Sequence, residues 1–254
     1  MRKLLLTMFL LLSSHSAYAC YDKKPNDKAN FESCLYKARQ GDTQAQNNVG
    51  VMYKLGDGVT QDYKQAVKWY RKAAEQGFAE AQYNLGEMYA VNQDYKQALK
   101  WLTKAAEQGI AHAQNNLGLM YREGQGVTQD YKQAVKWYRK AAEQGLAVAE
   151  GNLGDMYFNG NGVTQDYKQA LKWLTKAAEQ GRAEAHYKLG YFYGAGLLGF
   201  PVDREMAHMW FNIAASSGYK DAKKFRDLFA KEMSPSQIEK AQDMARKWTA
   251  KHQD

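Results

Sequence analysis

Residues 58–77 read GVTQDYKQAVKWYRKAAEQG, and the same stretch recurs without a change at residues 126–145. A variant, DYKQALKWLTKAAEQG, stands at 94–109 and again at 166–181. Self-similarity at a fixed period is the signature of a repeat architecture. Working outward, Gly41, Gly77, Gly109, Gly145, Gly181 and Gly218 are spaced by 36, 32, 36, 36 and 37 residues. Trp69, Trp101, Trp137, Trp173 and Trp210 keep step, and so does a second series, Gly50, Gly86, Gly118, Gly154 and Gly190.

Each unit reads as two helices. Ala45, Val49, Met52 and Tyr53 fall at i, i+4, i+7 and i+8, one apolar stripe of a first helix. Gly50 lies beside that stripe, where a missing side chain lets another helix approach. Gly56-Asp57-Gly58 supplies a turn. Asp62-Tyr63-Lys64-Gln65 predicts a helix start of the capping-box type, repeated at Asp94, Asp130 and Asp166. Ala66, Trp69, Tyr70, Ala73 and Ala74 form the buried stripe of this second helix, and Gly77 ends it. One such hairpin cannot hide both stripes, whereas a stack of hairpins shares a continuous core. The expected fold is therefore all-α, a right-handed α-solenoid of about five two-helix repeats with a C-terminal capping helix. Repeats span 42–218, between a cap segment at 20–41 and capping helices at 219–254. The second unit is four residues short before Asp94, so its inter-helix turn must be tighter. Ser234-Pro235-Ser236-Gln237 starts the final helix, with Ser as N-cap and Pro at N1; Ile238, Ala241, Ala245 and Trp248 should face inward.

The first 19 residues stand apart. Arg2 and Lys3 precede a short apolar run, Leu4 to Leu12, and Ala17-Tyr18-Ala19 fits a small-x-small cleavage site. This reads as a secretory signal and predicts a periplasmic or secreted protein. Two readings of Cys20 follow. Ala17 and Tyr18 depart from a lipid-attachment box, which favours the other reading, a disulfide between Cys20 and Cys34. Closing a loop of roughly 15 residues would stabilise by about 3 kcal/mol.

The pattern Ala-x-x-x-Leu-Gly-x-x-Tyr, Gly-x-Gly-Val, Asp-x-x-x-Ala-x-x-Trp-x-x-x-Ala-Ala-x-x-Gly resembles the Sel1-like repeat family, relatives of the tetratricopeptide repeats. The resemblance covers about residues 41–218. It implies a non-catalytic protein-interaction scaffold that takes a peptide or protein segment in its concave groove. Secreted bacterial relatives are associated with host contact, envelope maintenance and signalling. Tetratricopeptide relatives line the groove with the residue three before the motif glycine and the residue after it. Here these are Asn47, Tyr83, Asn115, Gly151 and Tyr187, then Val51, Glu87, Leu119, Asp155 and Tyr191. Tyr83, Tyr187 and Tyr191 have the character of interface anchors; the competing reading is that some of these residues only pack against a neighbouring repeat.

Chemistry beyond binding is thin. His112, His186, His208 and His252 form no metal-ligand spacing, and no cofactor motif appears. Ser217-Gly218-Tyr219-Lys220 fits Ser-x-x-Lys, and cysteine-rich relatives are described as β-lactamases. No Ser-Asp-Asn or Lys-Thr-Gly accompanies it, and Gly218 breaks the helical spacing that would aim the lysine, so no enzyme is expected. Twelve lysines recur in register: Lys64, Lys68 and Lys72, then 96/100/104, 132/136/140 and 168/172/176. First helices instead carry Glu80, Glu87, Glu123, Glu150, Asp155 and Glu184. The convex side is thus expected to be basic and the concave side mildly acidic. The lysine stripes either keep the outer face solvated or attract a polyanion such as an acidic glycan, lipopolysaccharide or anionic lipid, as an adhesin or envelope binder would. Export, few arginines and the small net charge argue against nucleic acid, and no later segment is apolar enough to span a membrane.

Overall fold

The computed structural model describes Cys20 and residues 28–197 and 199–252. The signal segment therefore lies outside the described residues. Thirteen helices occur among them: α1 (Lys28–Arg39), α2 (Thr43–Leu55), α3 (Tyr63–Glu75), α4 (Ala79–Val91), α5 (Tyr95–Glu107), α6 (Ala111–Glu123), α7 (Tyr131–Glu143), α8 (Ala147–Asn159), α9 (Tyr167–Glu179), α10 (Ala183–Gly194), α11 (Arg204–Ser216), α12 (Ala222–Ala230) and α13 (Pro235–Lys251). The only extended pairing among the described residues is an isolated bridge between Leu197 and Phe200.

The chain divides into two compact units, residues 1–113 with 125–127, and residues 114–124 with 128–254. Within the first, α1 to α5 pack as consecutive neighbours. Its core joins Ala66, Tyr70, Ala73, Leu85 and Trp101, with a second cluster of Phe31, Val49 and Met52 under α1. Cys20 is bonded to Cys34, their Cα atoms 5.0 Å apart, which ties the residues before α1 to that helix. Within the second unit, α7 to α12 also follow chain order, and α13 folds back onto α11. Ala245, Trp210, Ile213 and Leu189 meet there, with Trp248 packed against them. All five repeat tryptophans are buried, 3–8% exposed.

The conserved-looking glycines of the first helices are contact points. A Cβ on Gly50 would sit 2.6 Å from two ring carbons of Tyr70. Gly118 stands in the same relation to Tyr138 at 2.7 Å, Gly190 to Phe211 at 2.7 Å, and Gly86 and Gly154 to Leu102 and Leu174 at 2.7 and 2.9 Å. The bulky side chain of the second helix thus occupies the space a first-helix Cβ would need.

The aspartate N-caps form as predicted on their side-chain half: Asp62 Oδ1 accepts from the backbone N–H of Lys64 and Gln65, and Asp130 Oδ1 from that of Gln133. The reciprocal half of the capping box does not form. The Asp62 backbone N–H donates instead to Tyr53 O, 3.0 Å away, across the inter-helix turn. Asp94, Asp130, Asp166 and Asp203 repeat this with Tyr89, Tyr121, Tyr157 and Tyr193. The donor that a box glutamine would satisfy pins each second helix to the first. In the short second unit the chain turns through Gln93 at φ 61°, a left-handed conformation that glycines supply in the longer turns.

Two glycine-to-alanine changes should move stability in opposite directions. Gly118→Ala forces its Cβ into the buried Tyr138 ring and should cost about 1–3 kcal/mol. Gly151→Ala meets nothing nearer than Ala177 Cβ at 4.0 Å, so the gain in helix propensity should stabilise by about 0.5–1 kcal/mol. Urea titrations of both variants check the pair; a shift of the same sign in both would contradict the close-approach account.

Candidate functional site

The residues predicted to line a groove divide into three groups. Asn47 and Asn115 are buried between first helices. Asn84 Nδ2 donates to Asn47 Oδ1, and Asn152 Nδ2 to Asn115 Oδ1, both at 2.9 Å. These amides therefore join neighbouring repeats, as the packing alternative required. Val51 packs against the core of the first unit, and Leu119 is half-buried. Tyr83 and Glu87 pair with each other, the phenol donating to Glu87 Oε1, while Glu87 lies 3.9 Å from Lys54. Burial and the Glu87 carboxylate push the Tyr83 phenol up. The Tyr83 ring also lies 6.1 Å from that of His112.

Asp155, Tyr187 and Tyr191 are brought together. They line a cleft of about 300 Å³ between α8 and α10, with Phe158, Leu174 and Lys188. Its origin is a break in the asparagine ladder. Lys188 stands where Asn84 and Asn152 stand in their units, but the position its partner would occupy is Gly151. With no side chain to meet there, the Lys188 ammonium reaches Asp155 Oδ2 at 2.6 Å and Glu184 Oε1 at 2.7 Å. Burial pushes the Asp155 carboxyl up despite Lys188. Lys188 is also raised, because Asp155 and Glu184 outweigh the burial that opposes its charge. Glu184 is held low, its burial outweighed by Lys188. Beside this ion triplet lies an aromatic wall. Tyr187 stacks on Tyr219 with ring centres 4.7 Å apart and meets Phe211 and Phe225 edge-on. Phe158 lies 6.2 Å from Tyr191, which is 50% exposed. The arrangement presents a fixed aromatic edge next to a compact, internally neutralised charge group. Phe158, Leu174 and Lys188 were not among the predicted residues; the substitution of Gly151 and Lys188 into positions otherwise rich in Asn was the available signal.

A second polar feature runs through the repeats. Gln46 Nε2 donates to Ala38 O, the C-terminal carbonyl of the preceding second helix, and Gln46 Oε1 accepts from Gln76 Nε2, the C-cap of α3. Gln82 does the same with Ala74 O and Gln108. Gln144 donates to Gln114. In the fourth repeat the residue is Glu150, which accepts from Gln180 Nε2 at 2.8 Å. Glu150 is thus not part of an acidic face, contrary to its expected place. It is 2% exposed, because its column forms the inter-repeat rung. Burial pushes its carboxyl up, against Gln180 and Lys176 and with Glu179.

The lysine stripes are exposed throughout. They also cover the tryptophans: Lys72 Nζ lies 4.4 Å from the Trp69 ring centre, Lys104 4.9 Å from Trp101, Lys140 4.4 Å from Trp137 and Lys176 5.0 Å from Trp173. Ser217 caps the C-terminus of α11 and donates its hydroxyl to Ile213 O, while Gly218 turns the chain at φ 74° before the exposed Lys220. The Ser-x-x-Lys residues are therefore not consecutive on one helix. Among the described residues no group of three or more His, Cys, Asp or Glu could hold a metal ion, and no helix is long and apolar enough to cross a membrane.

The Sel1 repeat matches this chain five times, at residues 43–78, 79–110, 111–146, 147–181 and 183–219. The chain belongs to the Sel1 repeat family, and its fold is an all-α solenoid of Sel1 repeats. A Sel1 repeat protein from Oxalobacter formigenes is 35% identical, with a TM-score of 0.75, over 86% of this chain and 90% of its own. A protective antigen present in uropathogenic Escherichia coli strains, displaying an SLR fold, is 32% identical with a TM-score of 0.69, over 89% of this chain. This chain spans 57% of the length of that antigen. A sel1-like repeat-containing protein of Acanthamoeba polyphaga mimivirus is 43% identical over 53 residues, 21% of this chain and 10% of its own. Sel1 repeats are protein-interaction modules.

Glu150→Gln should restore the amide that Gln46 and Gln82 use toward a helix-end carbonyl, here Ala142 O, and remove a buried carboxylate. At neutral pH the variant should be more stable by about 1 kcal/mol. Because the folded-state carboxyl is raised, the wild type binds its proton more readily folded than unfolded. Its disadvantage should therefore shrink as pH falls through the raised value and vanish below the ordinary value of 4.5. Thermal melts across that range check this; a constant offset at every pH would contradict it.

Proposed function

We propose that the protein is a non-catalytic interaction scaffold of the periplasm or cell exterior. In this reading the cleft between α8 and α10 anchors a peptide or protein segment. The observation that carries it is the convergence of Asp155, Tyr187 and Tyr191 on one cleft with Tyr191 half exposed. Tyr187 is already held by Tyr219, Phe211 and Phe225, so little side-chain entropy remains to be lost when a partner packs on it. An aromatic edge held this way suits an apolar or aromatic side chain of the partner, and the Lys188 triplet beside it can bond main-chain groups. The Cys20–Cys34 bond fits an oxidising compartment. The lysine stripes offer a second surface for a polyanion, but seven Nζ contacts with tryptophan rings give those lysines a packing role already.

A photo-crosslinking residue at position 191, compared with one at Lys136, tests the assignment in the native envelope. The position-191 probe should capture a discrete protein that the position-136 probe does not. Tyr191→Ala should then weaken binding of the purified partner by about thirtyfold, the scale of an interface anchor. Equal affinity in Tyr191→Ala, or capture only at position 136 that disappears with salt, would reject the cleft in favour of the lysine stripes.

A further inference from the structure

The polar rungs described above fail once, at the fifth repeat, and a cavity opens where they fail. His186 takes the rung position of Gln46, Gln82, Gln114 and Glu150. Its Nε2 lies 3.1 Å from Ala178 O, the C-terminal carbonyl of the preceding second helix. A carbonyl only accepts, so Nε2 carries the proton and Nδ1 presents a lone pair. In the four preceding repeats the acceptor atom on the rung side chain receives an N–H from the C-cap glutamine, Gln76, Gln108, Gln144 or Gln180. The residue in that place after α11 is Ser217. Its short side chain turns back to Ile213 O. Nδ1 of His186 is left buried with no hydrogen-bond partner, on a side chain 4% exposed.

The space the glutamine would have filled is part of the largest cavity of the second unit, about 600 Å³. His186, Ser217 and Asn212 line one side; α13 closes the other with Trp248, Arg246 and His252. His252 is held there by its own ring stack on Trp248, 4.0 Å between centres, and by a bond to Trp248 O. No carboxylate lines this cavity. The group it lacks is a neutral donor: a carboxylate has no proton to give Nδ1, and an ammonium or guanidinium would enter beside Arg246. The apolar walls, Ile213, Ala245 and Trp248, suit the methylenes of such a side chain.

We propose that this cavity binds the primary carboxamide side chain of a glutamine in a peptide, which donates to His186 Nδ1 in place of the glutamine the fifth repeat has lost. The site is separate from the α8–α10 cleft and stands whether or not that cleft takes a partner. Burial lowers the His186 pKa, which keeps the imidazole neutral and Nδ1 free to accept at neutral pH.

The test uses the mature protein with ¹⁵N-labelled histidine, titrated with acetyl-Ala-Gln-Ala-amide and, separately, with the Glu and Leu analogues. The readout is the Nδ1 shift of His186. The glutamine peptide should move it saturably and bind about three- to tenfold tighter than either analogue, the worth of one neutral hydrogen bond. Ser217→Gln should abolish the response and leave Nδ1 with a shift close to that of the peptide-saturated wild type. Ser217→Ala, which keeps the cavity open, should bind as wild type does. Equal responses to the three peptides, no saturable response, or unchanged binding in Ser217→Gln would overturn the proposal; should Ser217→Gln fail to fold, the comparison of peptides on wild type and Ser217→Ala still decides.

Discussion

The contact on which the rest depends is the one between a first-helix glycine and the bulky residue of its partner helix. At Gly50, Gly86, Gly118, Gly154 and Gly190 a Cβ would come within 2.6–2.9 Å of Tyr70, Leu102, Tyr138, Leu174 or Phe211. Close-packed interiors leave no slack for such an atom. The two helices of a repeat can therefore approach at one register only, with the large side chain laid over the glycine. A hairpin locked in this way still has an open apolar stripe on each helix. Burying the stripes against the next hairpin is what makes a repeat stable only in company.

Once the register is set, polar groups fall into reproducible places. The N-cap backbone N–H of each second helix meets the tyrosine carbonyl of its first helix. The first-helix Gln reaches the last-turn carbonyl of the preceding repeat and receives its own C-cap glutamine. Helix ends carry unsatisfied carbonyls by construction, and a rung that satisfies one while linking three helices turns that weakness into a restraint on repeat stacking. Because the rung is buried, its exceptions have consequences that a surface substitution would not. Glu150 brings a charge into it and His186 brings an acceptor with no donor.

Packing was legible from the sequence because it repeats. The stripes Ala45-Val49-Met52 and Ala66-Trp69-Tyr70-Ala73 recur with the period, and each is buried. So are the glycine close approaches and the αL turns at Gly56 and Gly58. The site was legible only in part, since family position identifies where a side chain starts and not what it meets. Asn47 and Tyr187 occupy the same place in their repeats, yet Asn47 ends in an amide pair with Asn84 while Tyr187 joins an aromatic stack with Tyr219. The difference lies in the partner residue a repeat away and in α12, which has no counterpart in the repeat pattern. The capping box failed for a similar reason: the local motif Asp-x-x-Gln predicts a local bond, and a non-local acceptor, the tyrosine carbonyl, claims the same N–H.

The second helices are nearly invariant because both of their faces are committed. The inner face fills the core with alanine, tryptophan and Tyr or Leu, and the outer lysines lie over the tryptophan rings, so a change on either face disturbs the same ring from one side or the other. First helices are constrained at Ala, Leu, Gly and the rung, but only asparagine pairing restrains the columns between. Where that pairing lapses, at Gly151, Lys188 is free to take Asp155 and Glu184, and a cleft forms next to Phe158 and Tyr191. Both unusual features of this chain, the cleft and the cavity beside His186, thus arise by one route. A repeat omits a side chain that its neighbours use to join themselves together, and the vacated partner becomes available to something else.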